Sequence, residues 1–272
     1  MKILVYMGGL GNQIFCYAFT QFMTKNYPLH NIFGVYSSTK LNEHHGLEIN
    51  KWFDVQLPKE KWYATFLTYF LYFIKKVTGW QGLLDLDQQV IHNKDAIVYF
   101  ALKIDKRYIP EGEWIKFNIS DNILGFKNLE VLRKIRQQNS VFIHVRKGDY
   151  LSPEYIKRFE GCCSLDYYEK ALKYIQERID SPIFYVFSDD IIWCQRNLPI
   201  QNAVFVDWNT GERSPIDMFL MSNCKSAIIA NSTFSYWGAL LGEKKKIVTY
   251  PSRWINPPAS IGDIFPNEWI KI

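Results

Sequence analysis

The sequence predicts an α/β protein in which two Rossmann-like domains face each other across a cleft. The chain opens with an apolar run, a glycine-rich turn and a helical pattern, which together start an α/β unit. Its second half alternates short apolar runs with helical patterns, as expected for a parallel sheet covered on both faces. Polar residues and Gly125 interrupt the pattern over residues 120–128, so we place the boundary there, between domains 1–125 and 126–272.

The first domain begins with a predicted strand over residues 3–7 and a turn at residues 8–11, before a helix over residues 12–25. A further strand is predicted over residues 97–101. In the second domain we predict five strands and four helices. The strands span residues 141–145, 183–187, 203–206, 227–230 and 247–250. The helices span residues 165–178, 189–197, 215–223 and 234–242.

Residues 62–74 form a stretch without charges that is followed by Lys75 and Lys76. As a helix it would be about 20 Å long, too short for the roughly 30 Å hydrocarbon core of a bilayer. We therefore expect a helix buried within the protein. The alternative is an interfacial helix whose lysines reach the lipid headgroups, which would give peripheral membrane association.

Composition limits the classes of partner. The 272 residues carry a formal net charge of +5, which favours small anionic ligands or an anionic membrane surface. No nucleic-acid-binding signature accompanies this charge, so nucleic acid is not expected as a partner. The five cysteines include no C-x-x-C pair, and the N-terminus lacks the long apolar core of a signal peptide. We expect free thiols and a cytoplasmic location, with the inner membrane face as the alternative.

Ligands of such folds bind at the carboxyl ends of the strands, so the residues after each apolar run are the candidate site. The first run is followed by Gly8-Gly9-Leu10-Gly11-Asn12-Gln13. This segment lacks the last glycine of a dinucleotide fingerprint and the lysine of a P-loop. Its glycines still let the backbone approach a ligand, and Asn12 and Gln13 place amides at a helix start. A tight turn with Asn12 as the helix cap is the equally supported alternative.

A basic cluster follows the predicted strand over residues 141–145. His144 lies at the end of this strand, and Arg146, Lys147 and Asp149 come directly after it. A guanidinium matches a phosphate in a bidentate way, so Arg146 and Lys147 predict an anion clamp. His144 and Arg146 are two residues apart and would point to the same side. This favours the clamp over a surface ion pair between Arg146 and Asp149.

Two further strand ends are polar. Ser188, Asp189 and Asp190 do not form an Asp-x-Asp metal motif, and helix capping explains them equally well. The literal match, Asp85-Leu86-Asp87, follows no predicted strand and is interpreted as a turn, so no metal site is expected. The other end carries hydroxyls and free N–H groups at a helix start, which form a seat for phosphate. Its sequence is Asn231-Ser232-Thr233-Phe234-Ser235-Tyr236-Trp237.

Together, residues 8–13, 144–150 and 231–237 resemble the three signatures of the α-1,2-fucosyltransferases, glycosyltransferase family eleven. Their order and spacing match, so the resemblance covers nearly the whole chain. Lys147 stands where a second arginine is usual, and Tyr236 where tryptophan is common. The resemblance implies a GT-B fold and an inverting enzyme that needs no metal or other cofactor. It further implies GDP-fucose as donor and, as acceptor, the 2-hydroxyl of a galactose-terminated glycan.

The resemblance also implies roles for single residues. By analogy with the more distant α-1,6- and protein O-fucosyltransferases, Arg146 would hold the β-phosphate, and His144 and Asp217 would contact the guanosine. Asn12 would lie near the bond that breaks. The diphosphate would be seated by Ser232, Thr233 and Phe234. The other residues expected to contact substrate are Gly9, Gly11, Gln13, Lys147, Ser188, Asp189, Asn231 and Ser235.

The attacking hydroxyl needs a base or an oriented acceptor, and Asp149 and Glu154 are the carboxylates near the predicted clamp. Two alternatives to the main interpretation stay open. One is a fucosyltransferase with another acceptor or linkage. The other is a non-catalytic protein that binds a sugar nucleotide or a glycan.

Overall fold

The computed structural model describes residues 1–37, 45–85, 96–100, 105–147, 153, 156–257 and 261–272. The chain divides into two compact units. The first unit consists of residues 1–118 with 262–265, and the second of residues 119–261 with 266–272. The division thus follows residue 118, where the sequence placed it after residue 125, and the C-terminal residues contribute to both units.

In the first unit, the described strands are β1 (Lys2–Val5), β2 (Ile32–Val35), β3 (Phe53–Asp54), β4 (Leu84–Asp85), β5 (Val98–Tyr99) and β6 (Lys116–Phe117). Its described helices are α1 (Leu10–Asn26), α2 (Ile49–Trp52) and α3 (Trp62–Thr78), with a 3-10 turn at Lys106–Tyr108. The main sheet is parallel, in the order β2-β1-β5-β4, and β3 pairs with β6 in an antiparallel manner. The predicted opening of strand, turn and helix is present.

The buried residues of helix α3 lie on one side of the helix. Ala64, Thr68 and Leu71 are buried, and Ala64 and Leu71 belong to the apolar cluster that also contains Ile3 and Val35 of the sheet. The prediction of a buried helix over residues 62–74 was wrong, because the sequence shows that a helix is apolar but not which of its sides has a partner. Within the described ranges, no helix combines the length and the apolarity that a membrane crossing requires.

In the second unit, the strands are β7 (Ser140–Val145), β8 (Ile183–Ser188), β9 (Ala203–Val206), β10 (Ser226–Ile228), β11 (Val248–Tyr250) and β12 (Ile270–Lys271). The described helices are α4 (Asp121–Gln137), α5 (Ile156–Phe159), α6 (Leu165–Gln176), α7 (Ile191–Asn197), α8 (Pro215–Asn223) and α9 (Thr233–Leu240), with a 3-10 turn at Gly211–Arg213. All five strands and four helices predicted for this half are present, with ends shifted by at most two residues.

These six strands form one parallel sheet in the order β12-β11-β10-β7-β8-β9. The chain starts at β7, adds β8 and β9 on one side, and then places β10, β11 and β12 on the other side. This is the strand order of a Rossmann fold, in which the direction of sheet growth reverses between the first and the fourth strand. Every residue of β7 is buried, which explains why apolar residues occupy both faces of the strand.

The interruption of the pattern over residues 120–128 lies largely within a helix. Residues 121–137 form helix α4, and Gly125 has a φ of 71°, a left-handed conformation that favours glycine. The interruption in the pattern is therefore a kink near the start of a helix. Asp85 ends strand β4 and is buried, so the interpretation of Asp85-Leu86-Asp87 as a turn was wrong at this residue. Residues 86 and 87 lie outside the described residues.

Candidate functional site

The candidate site lies where growth of the six-stranded sheet reverses. Strands β7 and β10 are neighbours and parallel, with Ala227 opposite Phe142 and Ile228 opposite Ile143. The predicted clamp directly follows β7, and the predicted phosphate seat follows β10. In open α/β sheets, ligands bind outside the carboxyl ends of the two strands at such a reversal. The topology therefore brings these two segments to the edge of the sheet at which folds of this type bind their ligands.

Helix α6 fixes the ends of both strands. The hydroxyl of Tyr168 donates a hydrogen bond of 3.0 Å to the carbonyl oxygen of His144. The hydroxyl of Tyr167 donates one of 2.7 Å to the carbonyl oxygen of Ile229, just beyond β10. Both tyrosines are buried. Sequence reasoning missed these two residues, because aromatic residues at helical spacing are typical of any core-facing helix.

His144 presents an unsatisfied polar atom at this edge. Its side chain is buried, and among the described residues its Nδ1 has no hydrogen-bond partner. Burial and the nearby positive charge of Arg146 lower the pKa of His144 to about 3, so the imidazole is neutral. The ring of Phe234 lies 5.9 Å away, measured between ring centroids. A buried polar atom without an internal partner is unusual in a native fold and is a candidate for contact with a ligand.

The carboxylate of Asp189 contacts both Arg146 and Lys147. Asp189 Oδ2 lies 3.3 Å from Arg146 Nη1, and Asp189 Oδ1 accepts a hydrogen bond of 2.8 Å from the backbone N–H of Lys147. This follows from the sheet, because Val145 pairs with Ser188 and the next residues of β7 and β8 lie side by side. Asp189 therefore orients the loop of the predicted clamp. Asp189 is thus an ion-pair partner of Arg146, whereas Asp149, the partner that the sequence analysis considered, lies outside the described residues.

The residues around Asp189 have structural partners of their own. Asp190 caps α7 by accepting a hydrogen bond of 2.9 Å from the backbone N–H of Trp193, as the capping alternative predicted. The Ser188 hydroxyl accepts one of 2.9 Å from the backbone N–H of Asp190. The ammonium of Lys147 lies 3.9 Å from the centroid of the Trp193 ring, a cation–π distance. Contact of Ser188 and Lys147 with a substrate stays a prediction.

Helix α9 begins at the predicted phosphate seat. Ser232 is its N-cap, and the Ser232 hydroxyl accepts a hydrogen bond of 3.3 Å from the backbone N–H of Phe234. Thr233 and Phe234 are half-buried, so both remain accessible at the helix start. Ser235 is fully buried, and its hydroxyl lies 3.2 Å from the carbonyl oxygen of Ser232. The geometry thus favours a positioning role for Ser235.

The turn before α9 is anchored by Asn231. Its amide nitrogen donates a hydrogen bond of 3.0 Å to the carbonyl oxygen of Trp254, and its backbone N–H donates one of 3.2 Å to Cys163 Sγ. The Cys163 thiol in turn donates to Asn231 Oδ1 at 3.3 Å. Burial raises the pKa of this thiol to about 12, so it stays protonated and can donate. These three hydrogen bonds, two with Cys163 and one with Trp254, fix the conformation of the turn at Asn231.

Asp217, on α8, belongs to a buried amide network. Asn209 donates hydrogen bonds of 2.7 Å to Asp217 Oδ1 and 2.9 Å to Asn128 Oδ1, and Trp208 Nε1 also donates to Asn128 Oδ1, at 2.8 Å. Burial raises the pKa of Asp217 to about 7, against the opposing effect of the Asn209 hydrogen bond. Sequence reasoning found Asp217 but missed Asn128 and Asn209, because isolated asparagines carry no periodic signal.

The glycine turn lies in the first unit and is described by itself. Gly8 has a φ of 74°, and a Cβ at this position would lie 2.5 Å from Asn12 Nδ2, so glycine is required on both counts. Gly9 is the N-cap of α1 and provides no side-chain cap. Among the described residues, the buried Asn12 Oδ1 has no hydrogen-bond partner. Asn12 is therefore the side chain of this turn that fits contact with a ligand.

Gln13 has the opposite character. Its side chain is fully buried, and its amide nitrogen donates to the carbonyl oxygens of Gly8 at 3.0 Å and Gly46 at 2.9 Å. Its Oε1 accepts from the backbone N–H groups of Glu48 at 2.9 Å and Ile49 at 3.1 Å. These four bonds use the capacity of the amide, so the geometry favours a positioning role. For Gly9 and Gly11, close approach of a ligand stays a prediction.

Some predicted site residues cannot be placed. Asp149 and Glu154, the two candidate bases, lie outside the described residues. Within the described part of the chain, no three His, Cys, Asp or Glu side chains cluster in a way that could hold a metal ion.

The sequence profile of Glycosyl transferase family 11 matches residues 99–272, which is more than half of the chain. The chain is 41% identical over 143 residues to the Escherichia coli O-antigen biosynthesis glycosyltransferase WbnK, covering 51% of this chain and 47% of the relative. It is 33% identical over 187 residues to the E. coli alpha-1,2-colitosyltransferase, covering 66% and 63%. It is 33% identical over 160 residues to galactoside alpha-(1,2)-fucosyltransferase 2 of Pongo pygmaeus, covering 56% and 46%. The chain thus spans about half the length of these curated relatives.

Among solved structures, the chain is similar to the fucosyltransferase NodZ from Bradyrhizobium, with a TM-score of 0.53 at 12% identity, covering 89% of this chain and 92% of that chain. NodZ, an alpha-1,6-fucosyltransferase, has been co-crystallized with GDP and soaked with GDP-fucose. At this identity the likeness shows the fold alone, and it confirms the prediction of a GT-B-like α/β fold. The profile match, which includes both motif segments of the second unit, shows in addition that the chain belongs to glycosyltransferase family 11.

Proposed function

We propose that this protein transfers L-fucose from GDP-β-L-fucose to the 2-hydroxyl of a terminal β-galactoside, forming an α-1,2 linkage with inversion at the anomeric carbon. One observation carries the proposal. A neutral His144 with an unpartnered nitrogen, Arg146 and the Ser232-capped start of α9 belong to the carboxyl ends of the two strands at the sheet reversal. This arrangement suits a nucleoside diphosphate, which combines a hydrogen-bonding base with two charged phosphates.

The leaving group determines which interactions accelerate the reaction. As the bond to fucose breaks, negative charge grows on the β-phosphate of GDP, so groups that bind this charge lower the barrier. Arg146 and the N–H groups at the start of α9 would supply positive charge to the diphosphate. They would take the place that a divalent cation has in metal-dependent transferases. The proposed reaction therefore requires no metal.

Guanosine recognition would involve His144 and Asp217. A guanine ring offers donors on N1 and N2 and acceptors on O6 and N7. An ionised Asp217 would accept from the donors, and the neutral imidazole of His144 offers Nδ1 to the nucleoside. Because burial raises the pKa of Asp217 to about 7, guanosine binding would favour its ionised form. Uridine presents a different donor pattern and should bind less tightly.

Inversion requires the acceptor hydroxyl to attack opposite to the leaving GDP, with a base to take its proton. Asp149 and Glu154 are the candidates for this role. Asn12, whose Oδ1 is buried without a partner among the described residues, is the candidate in the first unit for contact near the reacting carbon. The five free cysteines and the likeness to an O-antigen biosynthesis enzyme support work in the cytoplasm.

A second donor is supported by one relative, the alpha-1,2-colitosyltransferase. Colitose lacks the 3-hydroxyl of fucose, so a site for one sugar could admit the other. The test is to incubate the protein with GDP-fucose or GDP-colitose and a panel of galactosides, and to determine linkage and anomeric configuration by NMR. We expect an α-1,2-fucosyl product, with turnover that persists in EDTA. Binding of GDP-fucose without turnover on any acceptor would indicate a non-catalytic protein, and transfer to a peptide or to N-acetylglucosamine another acceptor class.

A further inference from the structure

The outer face of helix α3 carries large apolar side chains where a helix on a protein surface usually carries charges. Ala64, Thr68 and Leu71 mark the inner side of the helix. Opposite to them lies the outer face of α3, with exposed fractions of 48% to 79%. It consists of Trp62 (79%), Phe66 (64%), Phe70 (48%), Phe73 (61%) and Val77 (66%). Tyr69 (49%) borders this face, and its hydroxyl donates a hydrogen bond of 2.9 Å to the carbonyl oxygen of Ser37. Single exposed apolar residues are ordinary, but a contiguous stripe along a whole helix marks an interaction surface.

The charges at the ends of this helix are mainly basic, although the exposed Glu60 lies beside its first turn and accepts a hydrogen bond of 3.3 Å from the Thr65 hydroxyl. Lys61 is the N-cap of α3, Lys75 and Lys76 lie in its last turn, and the helix sequence contains no aspartate or glutamate. The Lys75 ammonium lies 5.7 Å from the centroid of the Tyr72 ring, so its stem runs along the helix. Aromatic residues flanked by lysines are typical of helices in the headgroup region, where rings enter the lipid and ammonium groups meet phosphates.

We propose that the outer face of α3 docks this protein onto an anionic phospholipid surface, with the helix axis parallel to the bilayer. The helix is about 25 Å long at 1.5 Å per residue, and Gly79, with a φ of 76°, ends it. Trp80, half exposed just beyond this end, is a further exposed aromatic residue near the helix. The helix would lie in the interface and would not cross the membrane.

A second copy of the chain fits this face less well than lipid does. In an antiparallel pair of α3 helices, Lys61 of each would approach Lys75 and Lys76 of the other, and a parallel pair would also place like charges together. Since α3 carries no acidic residue, neither arrangement supplies an opposite charge from the helix itself. Anionic headgroups supply that charge, at about 1 kcal/mol for each lysine near the surface.

The test is flotation of the full chain with vesicles. We expect it to float with vesicles of phosphatidylcholine and phosphatidylglycerol, and to bind pure phosphatidylcholine at least about tenfold more weakly. The double variant Phe66→Gln/Phe73→Gln should lose at least about tenfold in affinity for the anionic vesicles. Phe126→Gln removes an aromatic ring that is 84% exposed on α4 and should bind like the unchanged protein. Circular dichroism should show that all variants are folded.

Three outcomes would overturn the proposal. The first is a chain that stays out of the floated anionic vesicles. The second is a folded double variant that floats as well as the unchanged protein. The third is a chain that is dimeric without lipid and becomes monomeric in the double variant, because a second copy then covers the face. If the double variant fails to fold, Trp62→Gln and Lys75→Gln/Lys76→Gln make the same test, each with an expected loss of vesicle affinity.

Discussion

The glycine turn of the first unit and the sheet edge of the second use their buried polar side chains in opposite ways. In the first unit, Gln13 directs all of its hydrogen-bonding groups to the backbone of residues 8 and 46–49. In the second, His144 keeps a buried nitrogen for which the described residues offer no partner. Gln13 and His144 are both buried, and the sequence analysis predicted both to contact the ligand.

This difference separates candidate site residues that stabilise the fold from those that can bind a ligand. A buried amide with every bond satisfied stabilises the fold, and a ligand would have to break existing bonds to reach it. A buried atom without a partner gains most when a ligand arrives, because the cost of its burial is recovered at that moment. Asn12, next to Gln13, falls in the second class. The predictions below test this division, starting with the largest expected effect.

Arg146 is expected to matter for turnover and little for stability. Arg146→Ala should lower kcat by roughly 10²-fold or more, which corresponds to about 3 kcal/mol. The reason is that the guanidinium no longer stabilises the negative charge that grows on the departing GDP. Arg146→Lys should restore only part of the lost activity. An ammonium keeps the positive charge but cannot form the two parallel hydrogen bonds that a guanidinium makes to a phosphate. The matched control is Arg196→Ala, which removes an exposed arginine of α7. Near-normal turnover of Arg146→Ala, or an inactive variant that is also unfolded, would refute the assignment.

Gln13 is expected to behave in the reverse way. Gln13→Ala leaves buried donors and acceptors of the turn unpaired, so the free energy of unfolding in urea should fall by about 2–3 kcal/mol. Gln201→Ala, at an exposed position, should change it by less than about 0.5 kcal/mol. A Gln13 variant that keeps its stability but loses affinity for substrate would contradict the positioning role. The amide would then contact the ligand directly.

Asp217 should make donor binding depend on pH. Its pKa of about 7 means that the carboxylate ionises between pH 6 and 8, and the ionised form is the one that accepts from guanine. Affinity for GDP-fucose should therefore rise about tenfold over this range. The diphosphate of GDP-fucose is esterified at both ends, and His144, with a pKa of about 3, stays neutral throughout. Calorimetric titration should give a flat profile for Asp217→Asn, and an equally steep one would contradict the role.

The smallest effect concerns helix caps. Ser232 and Ser164 are the N-caps of α9 and α6, and each hydroxyl accepts a hydrogen bond of 3.3 Å from a backbone N–H. Replacing either serine by alanine should cost about 1 kcal/mol of stability, measured as a lower Tm. Only Ser232→Ala should also weaken GDP binding, because its cap lies at the phosphate seat. Equal affinity for GDP in both variants would indicate that Ser232 stabilises the helix and does not contribute to donor binding.

Much of the second unit could be predicted because its central strands are buried on both faces. Residues 141–145 and 183–187 form mainly apolar runs between turn residues, and such runs have few other interpretations. The two-residue strands β3, β6 and β12 could not be found, since they are too short to show a period. The candidate site residues were chosen by their place after predicted strands, and their contact with a ligand stays a prediction. Their division into positioning and binding residues depends on distant partners, such as Gly46 for Gln13, which a linear pattern does not contain.

The ion pair between Asp189 and Arg146 has a consequence for the end of the proposed reaction. Because Asp189 Oδ2 lies 3.3 Å from Arg146 Nη1, a counterion remains beside the guanidinium after the nucleotide departs. In the proposed reaction this carboxylate would compete with the diphosphate for the positive charge of Arg146, so it would weaken binding of the GDP product and speed its release. Where release of the product limits turnover, Asp189 would therefore set how soon the next donor can enter.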